Sequence, residues 1–170
     1  MGSDGADMAI TTEIVVLAQS PGFEDGVRKG LYKAPVGPSA AAWPARYTVN
    51  RAAVVLALEP IVMAYNTNAV KVPITGYQDL LKPEYKGKIG TSELAATAVI
   101  AWYSFLEKTQ GADFLARFAA QQPRLYVGAV PNTQAVASGE VAISAFSNTT
   151  TALPLIDLGA PIRLVVPKPG

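Results

Sequence analysis

From Lys88 to Val166, short runs carrying Val, Ile and Leu alternate with helix-length segments, and three of those segments stop at a glycine. The runs are Lys88–Thr91, Arg124–Val127, Val141–Ala145 and Ile162–Val166. Between them lie helical segments over about 94–110 before Gly111, Ala112–Gln121 before Pro123, Thr133–Ser138 before Gly139, and about 150–158 before Gly159. A glycine just past a helix supplies the left-handed residue that closes it, and proline cannot continue one. Strands separated by helices cannot form tight hairpins, so their natural neighbours are parallel strands reached by crossovers. The alternation therefore predicts an α/β fold, a mixed and mostly parallel sheet with helices on its faces.

The first half is less regular. Ala6–Ile10 and Ile14–Leu17 read as short strands, Phe23–Lys29 as a helix closed by Gly30, and 31–46 as an extended, Pro- and Gly-rich connection. Tyr47–Leu58 and Ile61–Asn66 carry the Val, Ile and Tyr of strands on either side of Glu59–Pro60. A small helix is expected around Tyr77–Leu81, and in the helix before Gly111 the stripe Val99, Tyr103, Leu106 should face the core.

Composition removes several classes of function. With 14 basic and 13 acidic residues the net charge is +1, and no basic cluster marks a nucleic-acid surface. At 50% hydrophobic and 16% charged, the chain has material for a core and lacks the signature of disorder. It holds no Cys and no His, which removes Cys/His zinc sites, thiol chemistry and His-based catalytic triads. Its carboxylates Asp79, Glu84, Glu93, Glu107, Asp113 and Glu140 stand singly, with no spacing that makes an acid–base pair. GxxxxGK[ST], GxGxxG and GxSxG are all absent. No metal, cofactor or enzymatic activity is predicted. The most apolar stretch, Ala52–Tyr65, is broken by Glu59–Pro60 and falls short of the roughly 20 residues that span a bilayer.

Small polar residues gather at the strand–helix junctions: Ser92 to Thr97, Pro131-Asn132-Thr133-Gln134, and Ser147-Asn148-Thr149-Thr150. In open α/β sheets ligands sit beyond the carboxyl ends of strands, where helix N-termini offer unpaired N–H groups and the positive end of a dipole. Ser92, Asn132 and Ser147 also suit ordinary helix caps. Three such junctions on one edge nonetheless predict a polar binding surface.

The stretch Pro73-Ile74-Thr75-Gly76-Tyr77-Gln78-Asp79-Leu80-Leu81-Lys82-Pro83-Glu84-Tyr85-Lys86-Gly87-Lys88-Ile89 resembles the P-x-[ST]-[WY]-x-D-L-L-x-P-x-Y-K-G-K-I signature of the extracellular solute-binding proteins of ABC importers, with one extra residue before the aromatic. Ala6-Asp7-Met8, Gly30-Leu31, Tyr65-Asn66-Thr67, Ala137-Ser138-Gly139-Glu140-Val141-Ala142-Ile143 and Gly159-Ala160-Pro161-Ile162 resemble further pieces of that family, in the same order. The resemblance points to the branch that includes ferric-iron, thiamine and phosphonate receptors.

What the resemblance implies is a type II periplasmic-binding-protein fold, a three-layer lobe that captures a small polar or anionic solute and delivers it to an ABC permease. It implies an exported protein, periplasmic or anchored at the cell surface, although Met1-Gly2-Ser3-Asp4-Gly5 has neither the basic nor the apolar region of an export signal and reads as an expression-derived leader. Residues 1–58 are expected to be a stub of lobe one leading to the hinge, and residues 59–170 the second, ligand-binding lobe, left by a designed truncation or proteolysis. Carried over by position, the family's ligand contacts fall at Thr11, Thr12, Tyr65, Asn66, Ala96, Thr97, Ser147 and Asn148. Together with Ser92 and Asn132 from the junctions, they form the expected site, centred on Thr97. Iron-binding members use adjacent tyrosines where this chain has Phe146-Ser147-Asn148, which argues against that kind of ferric site. Unpaired apolar edges at Ala9–Leu17 and Tyr47–Leu58 would favour self-association. The alternatives are an enzyme on the same fold, deaminase- or transferase-like, and a folding module without activity.

Overall fold

The computed structural model describes residues 21–167 apart from 51, 56 and 96. The strands expected at Ala6–Ile10 and Ile14–Leu17 lie outside the described residues. The chain divides into two compact units between Ala57 and Leu58.

The first unit holds α1 (Pro21–Arg28), α2 (Pro38–Ala41), a 3-10 turn at Ala45–Tyr47, and strands β1 (Thr48–Val49) and β2 (Ala53–Val54). Gly30, at φ 69°, follows α1 where the sequence places a closing glycine. The 31–46 connection is not wholly extended: Pro38 starts α2 at the first helical position, where its missing N–H costs nothing. Tyr47–Leu58 is not one strand either. It folds back on itself, with Thr48 opposite Val54 and Val49 opposite Ala53. Asn50, at φ 48°, makes the reversal, because its short amide side chain tolerates the left-handed region better than most residues. Part of this segment, Thr48–Val49 against Ala53–Val54, is therefore paired within the chain.

The second unit is built on a five-stranded sheet of order β5-β4-β6-β3-β7. Its elements are β3 (Ile61–Asn66), β4 (Ile89–Ser92), α3 (Thr97–Gln110), α4 (Phe114–Ala120), β5 (Arg124–Tyr126), α5 (Ala129–Ser138), β6 (Ile143–Asn148), α6 (Thr149–Asp157) and β7 (Ile162–Val165). β4 is parallel to β5 and β6, whereas β3 runs antiparallel to both β6 and β7. Four strands thus point one way and β3 alone points the other. The mixed α/β architecture expected from the alternation is the one observed. The register between β3 and β6 shifts between Val62 and Ala64, which oppose Ser147 and Ser144. The extra residue on β6 is a β-bulge that turns both Ala145 and Phe146 toward the same apolar cluster.

Both faces of the sheet are covered. Val99, Trp102 and Leu106 of α3 and Phe114 and Phe118 of α4 pack on one face with Met63, Tyr65, Ile89 and Ile143. Ala135 and Val136 of α5, together with Ala64, Val141 and Ile162, form a smaller cluster on the other, flanked by Leu155 and Ile156 of α6. Trp102, three residues past Val99, joins the core stripe, and Tyr103, half-buried, packs against the same cluster and bonds Thr91 Oγ1 at 2.9 Å. α5 begins four residues before its expected start: Gly128 turns the chain at φ 92°, and Pro131 falls within the first turn, where proline is tolerated. β6 is displaced two residues C-terminal to its expected start, which carries Ser147 and Asn148 into the strand.

The segment 75–85 is held by one carboxylate. Asp79 Oδ2 accepts from Thr75 N at 2.7 Å, Thr75 Oγ1 at 3.1 Å and Gly76 N at 3.2 Å, while Oδ1 meets Lys82 Nζ at 2.7 Å. Burial alone would push this carboxyl up, but the Lys82 ammonium and the Thr75 and Gly76 donors outweigh it and lower it from 3.8 to about 2. A depressed pKa places the stabilisation above the unfolded value and removes it as pH falls toward the folded one. Asp79→Asn is therefore expected to cost about 2 kcal/mol at neutral pH and to converge with the parent as the pH is lowered from about 4 toward 2. Urea unfolding across that range measures it, and a pH-independent gap would refute the assignment.

Candidate functional site

Because β4, β5 and β6 are parallel, the helix after each begins at the same edge of the sheet. Ser92 ends β4 and leads through Glu93 to Thr97, the first residue of α3. Tyr126 ends β5 and leads through Gly128 to α5. Asn148 ends β6 and is the N-cap of α6. The N-termini of helices of 14, 10 and 9 residues converge on this carboxyl edge, each leaving N–H groups without intrahelical partners. β3 begins at this edge, and Glu59 just before it is bonded by the Thr150 hydroxyl in the first turn of α6.

Behind the edge, on the α5 face of β4 and β6, lies a fully buried polar layer of Ser92, Asn132, Thr133, Ser144 and Ser147. Asn132 Nδ2 donates to the Phe146 carbonyl at 3.0 Å, and Ser144 Oγ donates to the same oxygen at 2.9 Å, so the bulge is tied to α5 by side chains. Thr133 Oγ1 donates to Ala129 O at 2.8 Å and lies 2.7 Å from Ser147 Oγ. Ser92 Oγ and Asn132 Oδ1 have no hydrogen-bond partner among the described residues. A buried polar atom without a partner costs about 1–3 kcal/mol, so this layer is costly unless a water or solute reaches it.

The expected site residues divide sharply. Ser92, Thr97, Asn132, Ser147 and Asn148 are brought to the carboxyl edge or the layer beneath it. Asn148 caps α6, its Oδ1 accepting from Thr151 N at 3.0 Å, and the Asn132 and Ser147 side chains face inward. Tyr65 and Asn66 lie at the opposite edge, because β3 runs antiparallel and ends where β6 and β7 begin. Tyr65 packs in the core, and Asn66 holds a turn: Nδ2 donates to Val136 O at 2.8 Å and Oδ1 accepts from Asn68 N at 2.9 Å. Thr11, Thr12 and Ala96 lie outside the described residues.

Sequence reasoning passed over the apolar rim. Leu94, Val127 and Val130 stand on the junctions after β4 and β5 and are 65%, 75% and 53% exposed. Apolar residues in a loop between a strand and a helix N-terminus were the available signal. The junction segments 59–61, 92–97, 126–130 and 147–151 contain Glu59 and Glu93 and no Lys or Arg. Any anion held here would rely on N–H groups and helix dipoles rather than on side-chain cations.

A family model described as bacterial extracellular solute-binding protein matches residues 3–170. None of the curated proteins compared shows a significant sequence match. Among solved structures, the chain is similar to the substrate-binding protein of an ABC transporter from Agrobacterium tumefaciens, at 17% identity and TM-score 0.74 over 85% of this chain and 46% of that one. It is also similar to the apo ferric ion-binding protein A of Pasteurella haemolytica, at 19% identity and TM-score 0.68 over 85% of this chain and 50% of that one. The periplasmic binding protein AfuA of Actinobacillus pleuropneumoniae, solved with fructose-6-phosphate bound, matches at 21% identity and TM-score 0.64 over 85% of this chain and 50% of that one. The chain spans about half the length of these structures, and at such identities they speak to the fold, a lobe of the periplasmic-binding-protein kind. With nearly its whole length matched by the family model, the chain belongs to the bacterial extracellular solute-binding proteins.

Proposed function

We propose that the carboxyl edge is the solute-facing surface of a binding lobe, and that a small polar solute bearing an oxyanion docks there before delivery to an ABC permease. The observation that carries this reading is the convergence of three helix N-termini on one sheet edge, backed by a polar layer with two unpartnered atoms. An oxyanion gains about 0.3–1 kcal/mol from an exposed helix terminus and up to about 2 when partly buried. AfuA, solved with a sugar phosphate, offers one example of such a solute. Hydroxyls, amides and N–H groups around Ser147-Asn148 suit that chemistry better than a ferric ion, which favours anionic oxygen ligands. The reading is one of capture without chemistry, by an exported protein closing on its solute. Residues 59–170 are the proposed ligand-binding lobe and the residues before them the part leading to its partner lobe. Thr11, Thr12, Tyr65, Asn66 and Ala96 belong to this proposal only by resemblance to the family.

A thermal-shift panel of sugar phosphates, phosphonates, carboxylates and amines tests it, since a ligand that binds only the native state raises the melting temperature. Val127→Glu supplies the matching variant. Val127 is exposed, so folding is expected to persist within about 0.5 kcal/mol. A carboxylate on the rim should abolish the shift caused by an anionic solute. A panel with no stabilising member, or a shift unchanged by Val127→Glu, would sink the edge assignment.

A further inference from the structure

The opposite, amino edge of the sheet carries a feature that solute capture at the carboxyl edge leaves unused. A cleft of about 610 Å³ opens where β4 and β6 begin, and its lining includes Lys71, Lys88, Tyr85, Glu84 and Glu140. One wall comes from the 73–89 signature segment and the other from the Gly139–Ala142 turn, stitched together by Ala142 N donating to Lys88 O at 2.8 Å.

The donors in this cleft are uncommitted. Neither Lys71 nor Lys88 forms an ion pair among the described residues, whereas Lys82 is spent on Asp79. Tyr85 is 6% exposed overall, with its hydroxyl open to solvent and without a hydrogen bond among the described residues. The acceptors are the lesser share. Glu140 is engaged by Arg124 at 3.1 Å and by the Tyr126 hydroxyl at 2.8 Å, which leaves Glu84 as the one carboxylate there without an ion pair. Two free ammonium groups and a free phenol O–H against one free carboxylate make a donor-rich cleft, with Val72 and Ala142 adding apolar lining.

We propose that this amino-edge cleft is a second binding site, for a small organic anion with a carboxylate or phosphate group, held by Lys71, Lys88 and the Tyr85 hydroxyl. It stands on residues separate from the carboxyl edge and does not depend on the solute reading.

The test is a ¹⁵N NMR titration of the whole chain with inorganic phosphate, against sodium chloride at matched ionic strength. The expected result is saturable shifts at the amides of Ala69–Val72, Tyr85–Lys88 and Gly139–Ala142. Tyr85→Phe keeps the packing and should weaken binding several-fold, and Lys71→Met with Lys88→Met should eliminate it while the spectrum stays folded. Should the double variant unfold, Lys71→Met alone is expected to weaken binding several-fold. Absence of saturable shifts, shifts confined to Glu93–Leu94 and Thr149–Thr151, or an affinity unchanged in the lysine variants would overturn the proposal. Shifts confined to the carboxyl edge would at the same time leave the solute reading standing.

Discussion

Gly90→Ala is expected to destabilise the second unit by about 3–4 kcal/mol, although it adds a single methyl group in a strand. A Cβ at Gly90 would point into Asn132 Oδ1, well inside contact distance, and would lie 3.0 Å from the Tyr126 ring. Asn132 cannot swing aside cheaply, because its Nδ2 holds the Phe146 carbonyl at the bulge of β6. The methyl group therefore breaks a buried hydrogen bond as well as forcing strand and helix apart. Asn132→Ala removes the obstacle and leaves the Phe146 carbonyl with the Ser144 hydroxyl, so that variant alone should cost only about 1–2 kcal/mol. In the double variant the Gly90→Ala penalty should largely vanish, giving a coupling of about 3 kcal/mol, at the upper end for residues in direct contact. Urea denaturation of the four proteins measures the cycle. A Gly90→Ala protein within about 0.5 kcal/mol of the parent, or strict additivity, would show that β4 and α5 are not packed through this contact.

The second large effect is expected at Trp102. It is 3% exposed, meets Phe146 at a centroid distance of 5.3 Å and Tyr77 at 6.1 Å, both edge-to-face, and donates Nε1–H to the Tyr77 hydroxyl at 3.1 Å. Trp102→Ala leaves a cavity between helix α3 and the bulged strand and strips Tyr77 of its partner, at an expected cost of about 3–5 kcal/mol. Burial already pushes the Tyr77 hydroxyl up, and loss of the indole donor should raise it further. Trp102→Phe keeps most of the packing and should cost markedly less. Denaturation by circular dichroism distinguishes them, and a loss below about 1 kcal/mol for Trp102→Ala would mean that the cluster is loosely packed.

These two sites show where sequence reading reached and where it stopped. The helix Thr97–Gln110 was legible because Val99 and Leu106 repeat at helical spacing and Gly111, at φ 107°, ends it. The helix after β5 was legible in kind but not in its start, since Pro131 reads as a breaker until Gly128 is known to turn the chain before it. The start of β6 at Ile143, opposite Tyr65, and its bulge both depend on β3 lying alongside. The site follows the same division. Polar residues at three junctions pointed to one edge, because parallel strands oblige their helices to start together. Tyr65 and Asn66 could not be excluded from that edge by their residue types, because the direction of β3 is set by strands about 80–100 residues further on. Asn132, expected as a ligand contact or a helix cap, is a buried strut, a difference made by the four extra residues at the start of its helix.

The placement of β3 also fixes an order of events. It is the first strand of the five-stranded sheet to be synthesised, but its neighbours, Ile143–Asn148 and Ile162–Val165, follow only about 80–100 residues later. β4 and β5 can pair once Tyr126 has emerged, whereas Ile61–Asn66 must wait, buried in the finished fold yet partnerless during synthesis. Contacts of such long sequence separation slow folding, because the loop they close must be ordered before they return anything. A nascent chain stopped short of Ile162 would keep a flank of this apolar strand open, so the last strand acts as the latch that completes the sheet and withdraws its stickiest edge from other chains.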